Sequence, residues 1–155
     1  MRRPASLIVA VSAERVRSPV AAARLAAVAR LVLRAQHVRA ALVSVTLLSA
    51  AQIAKLNARH LNRRGRTDVI AFAFTDGRAG TVRLIVGDVY IAPAVARANA
   101  RRLGVPVREE LMRLVVHGVL HVLGHDHPDG EARERSAMWR RQERLVRSAL
   151  GGRAA

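Results

Sequence analysis

The segment that most constrains this chain is an apolar run that ends in histidines. From Val107 to Leu123 the apolar residues recur at helical spacing, with Leu111, Leu114, Val115 and Leu123 available for a core. The run therefore reads as a buried helix, around which the rest of the chain has to pack. His117 and His121 lie four apart on it, so their side chains stack on one face, one turn apart. Two imidazoles so placed can reach one tetrahedral ion with metal–nitrogen bonds of roughly 2.0–2.1 Å. Gly124 follows the last periodic residue and can take the left-handed conformation that ends a helix and turns the chain sharply. That turn could bring His127 back towards the first two histidines. A pair of core histidines plus two exposed ones explains this pattern less well than His117, His121 and His127 holding one Zn2+ per chain. Three histidines leave a fourth position open for water, as in catalytic rather than structural zinc sites, and through the metal these three residues would carry the catalysis. His125 reads as a non-ligand. Asp126 either accepts an imidazole N–H or is a solvated turn residue.

The remaining elements follow in the order β-α-β-α-β-β-α-α-α. Strands are expected at 6–11 and 40–48, and a hairpin-like pair at 68–74 and 82–91 has Thr75–Gly80 as its loop. Helices are expected at 18–36, with Ser18 as cap and Pro19 at the first position, and from Ser49 to about His60. Three more follow at 94–103, 107–123 and 131–149. Strands early and helices late imply an α+β class, with about five helices packed on a small mixed four-stranded sheet. The 155 residues allow one domain, expected over 1–150 as a metal-dependent hydrolase, with 151–155 a frayed tail. Arg2, Arg3 and the apolar stretch from Leu7 faintly resemble a signal peptide, but Ser6–Val11 reads better as the first strand. No segment reaches the roughly 18 uninterrupted apolar residues of a membrane span, and no membrane partner is expected. Cysteine is absent, so a metal must rely on histidine and carboxylate ligands, and a reducing, cytoplasmic setting fits.

The charge points to a polyanion. There are 27 basic residues against 11 acidic, a net +16, and every basic residue but Lys55 is arginine. Arginine forks match phosphate oxygens bidentately. Arg59, Arg63, Arg64 and Arg66 form the first candidate substrate-binding cluster, and Arg97, Arg101 and Arg102 the second. Phe72 and Phe74 alternate with small residues and read as core rather than as base-stacking platforms.

The histidine spacing equals that of the metzincin peptidases, H-E-x-x-H-x-x-G-x-x-H. Gly118, however, stands where those enzymes carry the glutamate that acts as general base, which disfavours a peptidase. With glycine there, His117-Gly118-Val119-Leu120-His121-Val122-Leu123-Gly124-His125-Asp126-His127 resembles the H-G-x-L-H-L-x-G-Y-D-H signature of the YbeY family of bacterial endoribonucleases. Leu56-Asn57, the stretch Thr67–Phe72, Val86-Gly87-Asp88-Val89, the residues Glu110, Leu111 and Leu114, and Met138 extend the resemblance from about 52 to 140. The resemblance implies a single-domain α+β metalloprotein with a three-histidine zinc site. It also implies a single-strand-specific endoribonuclease that acts on rRNA, notably the small-subunit 3′ end, and on ribosomal particles in quality control. The nucleophile would be water or the RNA's own 2′-OH. Leu61 stands where many members carry an arginine, Ala71 where they carry serine, and His125 where the signature has tyrosine. Two other classes compatible with the residues are an RNA-associated assembly factor with a structural zinc and a hydrolase of another substrate.

Overall fold

A computed structural model describes residues 6–60, 69–79, 82–128 and 130–151. Its elements run β1 (Ser6–Ala13), α1 (Ala22–Ala35), β2 (Ala40–Leu47), α2 (Ala50–His60), β3 (Val69–Ala79), β4 (Val82–Ile91), α3 (Pro93–Leu103), α4 (Val107–Val122), a short 3₁₀ helix (Gly130–Arg135) and α5 (Ala137–Ala149). The four strands form one mixed sheet in the order β1-β2-β4-β3. β1, β2 and β4 are parallel, and β3 runs antiparallel to β4 at the edge. The α+β single domain expected from the sequence is thus present, and the segment that faintly resembles a signal peptide is a paired strand.

Strand alternation sorts the sheet into two unlike faces. On one, Val9, Val43, Val45, Leu47, Val89 and Ile91 are buried beneath α1 and α4, and their cross-strand partners line up, Val9 with Val43 and Val45 with Val89. α4 is the central helix, with α1, α3 and α5 packed around it and β3 and β4 beneath it. Two glycines let it settle on the strands. A Cβ at Gly118 would lie 2.4 Å from a methyl of Val89, and one at Gly87 would lie 2.4 Å from a methyl of Val122. Each glycine therefore receives a valine from the opposite element.

The other face is largely open. Ile8, Leu42 and Phe74 are 54%, 43% and 52% exposed, and α2 covers only one end, where its Ile53 packs with Ile70 and Ala92. Phe72 packs there, edge-on to Tyr90. The core role expected for Phe74 is corrected: two residues along β3 it shares this face but lies beyond the reach of α2.

Three element boundaries also differ. α1 starts at Ala22 without a side-chain cap, because the Ser18 hydroxyl is engaged in a local turn with the backbone of Val20. β3 continues through a bulge between Phe74 and Gly77 to Ala79, so the hairpin connection is shorter than the loop expected. The helix expected over 131–149 is broken at Ser136, whose hydroxyl accepts the Trp139 N–H at 3.2 Å and starts a new helix. By contrast, Ser49 caps α2 as expected, reciprocally with Gln52, at 3.1 and 3.0 Å. No helix among the described residues is long and apolar enough to cross a membrane. Of the tail expected from 151, only Gly151 is described.

Candidate metal centre

α4 delivers His117 and His121 one turn apart, with Gly118 turned towards β4, and then stops abruptly. Gly124 has φ +92°, the Gly124 N–H donates to the His121 carbonyl at 2.9 Å, and the His125 N–H donates to the Leu120 carbonyl at 3.0 Å. This pair of crossed bonds is a Schellman cap, which satisfies the last carbonyls while reversing the chain. The reversal places His127 against the helix it has just left. Its Nε2 lies 3.3 Å from Nε2 of His117, and Nε2 of His121 lies 3.0 Å from the same atom.

The hydrogen bonds behind the rings decide what these nitrogens can do. His117 is buried, and its Nδ1–H donates to the Gln142 Oε1 at 2.6 Å. A carbonyl oxygen only accepts, so the proton sits on Nδ1 and Nε2 presents a bare lone pair. The Gln142 amide is itself held the right way round, because its Nε2 donates to Glu143 at 3.2 Å. Glu143 in turn takes a two-pronged contact from Arg113, at 2.9 and 3.0 Å, and Arg113 also engages Glu110 and Glu109. Burial opposes the charge on Arg113, but Glu143 and then Glu110 outweigh it and raise its pKa. At His127, Nδ1–H donates to the Pro128 carbonyl at 3.0 Å, again leaving Nε2 bare.

Facing lone pairs at these distances repel unless a cation lies between them. Ligands roughly 2.0–2.1 Å from a tetrahedral ion lie about 3.3 Å apart, which is the His127–His117 spacing, with His121–His117 slightly closer at 3.0 Å. The three imidazoles are the group among the described residues whose ligand atoms converge, all within 4.8 Å of one another. The donor set therefore fits a metal ion. Burial supports the neutral form a ligand needs: it lowers the pKa of His117 to about 3, with the nearby charges of His121 and Arg133 adding to the effect. His121 is lowered too, first by burial and then by His127.

His125 turns away from the centre, as expected of a non-ligand. Its Nε2 meets the Gln36 side chain at 3.2 Å, where Arg141 also donates, at 2.9 Å. Asp126 is exposed, and its carboxylate accepts the His127 backbone N–H at 2.9 Å, a turn role rather than a ring acceptor. The ring acceptor for His117 is Gln142, which sequence reasoning missed because it stands 25 residues away on α5. Arg59 is exposed on α2, while Arg63, Arg64 and Arg66, together with Leu61, lie outside the described residues. In the second arginine cluster, Arg97, Arg101 and Arg102 are exposed on α3, and Arg102 reaches the cleft that His117 lines.

A model of the family described as Endoribonuclease YbeY matches residues 10–149. The chain belongs to the YbeY family. Among its relatives, an Endoribonuclease YbeY of Renibacterium salmoninarum is 37% identical, over 70% of this chain and 71% of its own length. One from Beutenbergia cavernae is 36% identical, over 84% and 90%. The solution structure of TM1509 from Thermotoga maritima shares the fold, with a TM-score of 0.60 at 22% identity over 93% of this chain and 90% of that one. YbeY membership agrees with the structural objection to a peptidase. Gly118 faces Val89 at the helix–sheet contact, and the Cβ of a glutamate there would clash with a Val89 methyl at 2.4 Å.

Proposed function

We propose that this chain is a zinc-dependent, single-strand-specific endoribonuclease of the cytoplasm, acting in rRNA maturation at the small-subunit 3′ end and in ribosome quality control. The observation that carries the reading is the convergence of His117, His121 and His127, with the Nε2 lone pairs of His117 and His127 left bare by their Nδ1 partners, in a chain that belongs to a family of endoribonucleases. His117, His121 and His127 would hold one Zn2+, which supplies Lewis-acid chemistry for phosphodiester cleavage when bound.

The chain's own residues contribute the rest. Gln142, backed by Glu143 and Arg113, keeps the His117 proton on Nδ1 and so keeps Nε2 a lone-pair donor. Gly124 sets the return of the chain that brings in His127. Arg59, Arg63, Arg64 and Arg66 bind flanking phosphates in this proposal, supported by a net charge of +16 and by the exposure of Arg59. The whole of 1–150 acts as one hydrolase domain, with 151–155 as its tail.

The experiment is incubation of the metal-loaded protein, with and without chelator, on precursor rRNA carrying an unprocessed small-subunit 3′ end. Cuts confined to single-stranded segments are expected, lost with chelator and lost in His121→Ala while that variant still folds and binds RNA. Cleavage indifferent to chelator and to His117→Ala contradicts the reading. If His121→Ala unfolds outright, the metal is structural and the chain is better described as an RNA-associated assembly factor.

A further inference from the structure

A cleft of about 290 Å³ opens beside the histidine centre, and His117, Asn99, Arg102, Arg133 and Trp139 are among the residues that line it. Of its two carboxylates, Glu110 is engaged by Arg113 and Glu134 is exposed. Arg133 is different from the other arginines here. Its guanidinium makes no hydrogen bond or ion pair among the described residues, and its Nε is buried with no acceptor. An unmet buried donor on a charged group is rare and calls for a missing acceptor.

Arg133 is also held in place. Its guanidinium carbon lies 5.9 Å from the centre of the Trp139 ring, a cation–π contact. Ser136 ties the two backbones together, donating from its hydroxyl to the Arg133 carbonyl at 2.7 Å and accepting the Trp139 N–H at 3.2 Å. The result is a cation fixed in the same cleft that His117 of the metal centre lines. Two cationic centres held side by side repel unless an anion comes between them. A phosphate has the charge and the several acceptor oxygens to meet both the guanidinium fork and a bound metal ion.

We propose that Arg133, positioned by Trp139, is the phosphate-binding residue of this centre and receives a phosphate of the single strand held in the cleft. The proposal rests on the reading of RNA as substrate. Trp139 acts as a positioning residue, and it is the single tryptophan in the chain, so its emission reports on this cleft alone.

The test titrates the metal-loaded, full-length protein with a short single-stranded oligodeoxynucleotide, so that binding is read without cleavage. A saturable change in Trp139 emission is expected. Arg133→Gln should weaken binding about tenfold, as expected for loss of a charge-assisted contact. It should also make the dependence of log affinity on log salt shallower by roughly 0.7, the value for one phosphate contact on a single strand. Trp139→Phe, followed by anisotropy of a labelled oligonucleotide, should keep most of the affinity, because a ring remains beneath the guanidinium. Trp139→Ala should approach the Arg133→Gln result. Arg133→Lys covers the case in which Arg133→Gln fails to fold: it should keep the salt slope and lose affinity severalfold. Unchanged affinity and slope in the folded Arg133→Gln protein, or unchanged affinity in Arg133→Lys, overturns the assignment. Arg133-dependent binding in a protein that cuts no RNA counts against the endoribonuclease reading and leaves this assignment standing. Cleavage with Arg133-independent binding does the reverse.

Discussion

His117 and His127 reach the same point by opposite routes. His117 is 4% exposed on the most buried helix of the molecule, and its ring is locked by a chain of contacts through Gln142 and Glu143 to Arg113. His127 sits half-buried on a turn, its backbone N–H held by Asp126 and its ring by the neighbouring Pro128 carbonyl and by its approach to the other two rings. The difference teaches that the centre is asymmetric. One ligand is part of the core and fixes the position of an ion, while the other closes over that position from a segment whose geometry is set by a single glycine. Loss of either removes a metal ligand, but only loss of the first damages the fold.

That asymmetry can be broken most directly at His117. His117→Ala should abolish metal binding and also destabilise the metal-free protein by about 2–4 kcal/mol, through the cavity and the orphaned Gln142 carbonyl. Denaturant melts in the presence of chelator measure this. His127→Ala should abolish metal binding just as completely, yet leave the metal-free melt within about 0.5 kcal/mol of wild type, as for other surface changes. Equal destabilisation by both variants would remove the distinction.

Gln142→Leu sharpens the comparison from the other side. It removes the acceptor that holds the proton on Nδ1, and metal affinity should fall about 10–100-fold, as is typical for loss of a partner behind a ligand, with His127 untouched. Competition with a chromogenic chelator reads the change. The smallest effect is a pH dependence of the metal-free protein. Burial lowers the folded pKa of His117 to about 3, below its unfolded value of roughly 6.5. Neutral His117 therefore contributes its full stability above about pH 6.5, and that contribution is lost as pH falls from there towards 3. The wild-type minus His117→Gln stability difference should shrink over this window and stay flat above it.

Much of this centre was legible in the sequence, for a physical reason. Histidines four apart on a helix must share a face whatever the rest of the chain does, and a glycine after the last apolar position announces the reversal that returns His127. The order of all nine expected elements could likewise be read from periodicity. What could not be read depends on contacts between distant segments. Gln142 and Arg113 matter only because α5 packs on α4, and neither residue carries a local signal. Phe74 has the alternation of a core strand, but which face α2 covers, and how far, is decided by tertiary packing. Trp139 and Arg133 were hidden by the break at Ser136, since a continuous helix from 131 would not clip them together. Gly118 is the instructive intermediate case. Its absence of a carboxylate was plain from the sequence, whereas the reason no side chain fits there, a methyl of Val89 in the space, required the sheet.

The central claim is that three histidines converge to hold one metal ion, and metal content after zinc loading and exhaustive dialysis tests it most directly. The account predicts one equivalent of Zn2+ in the wild-type chain and none in folded His117→Ala, His121→Ala and His127→Ala proteins, with His125→Ala retaining its full equivalent. A wild-type chain that retains no metal, or a folded His121→Ala or His127→Ala protein that still carries a full equivalent, would contradict it.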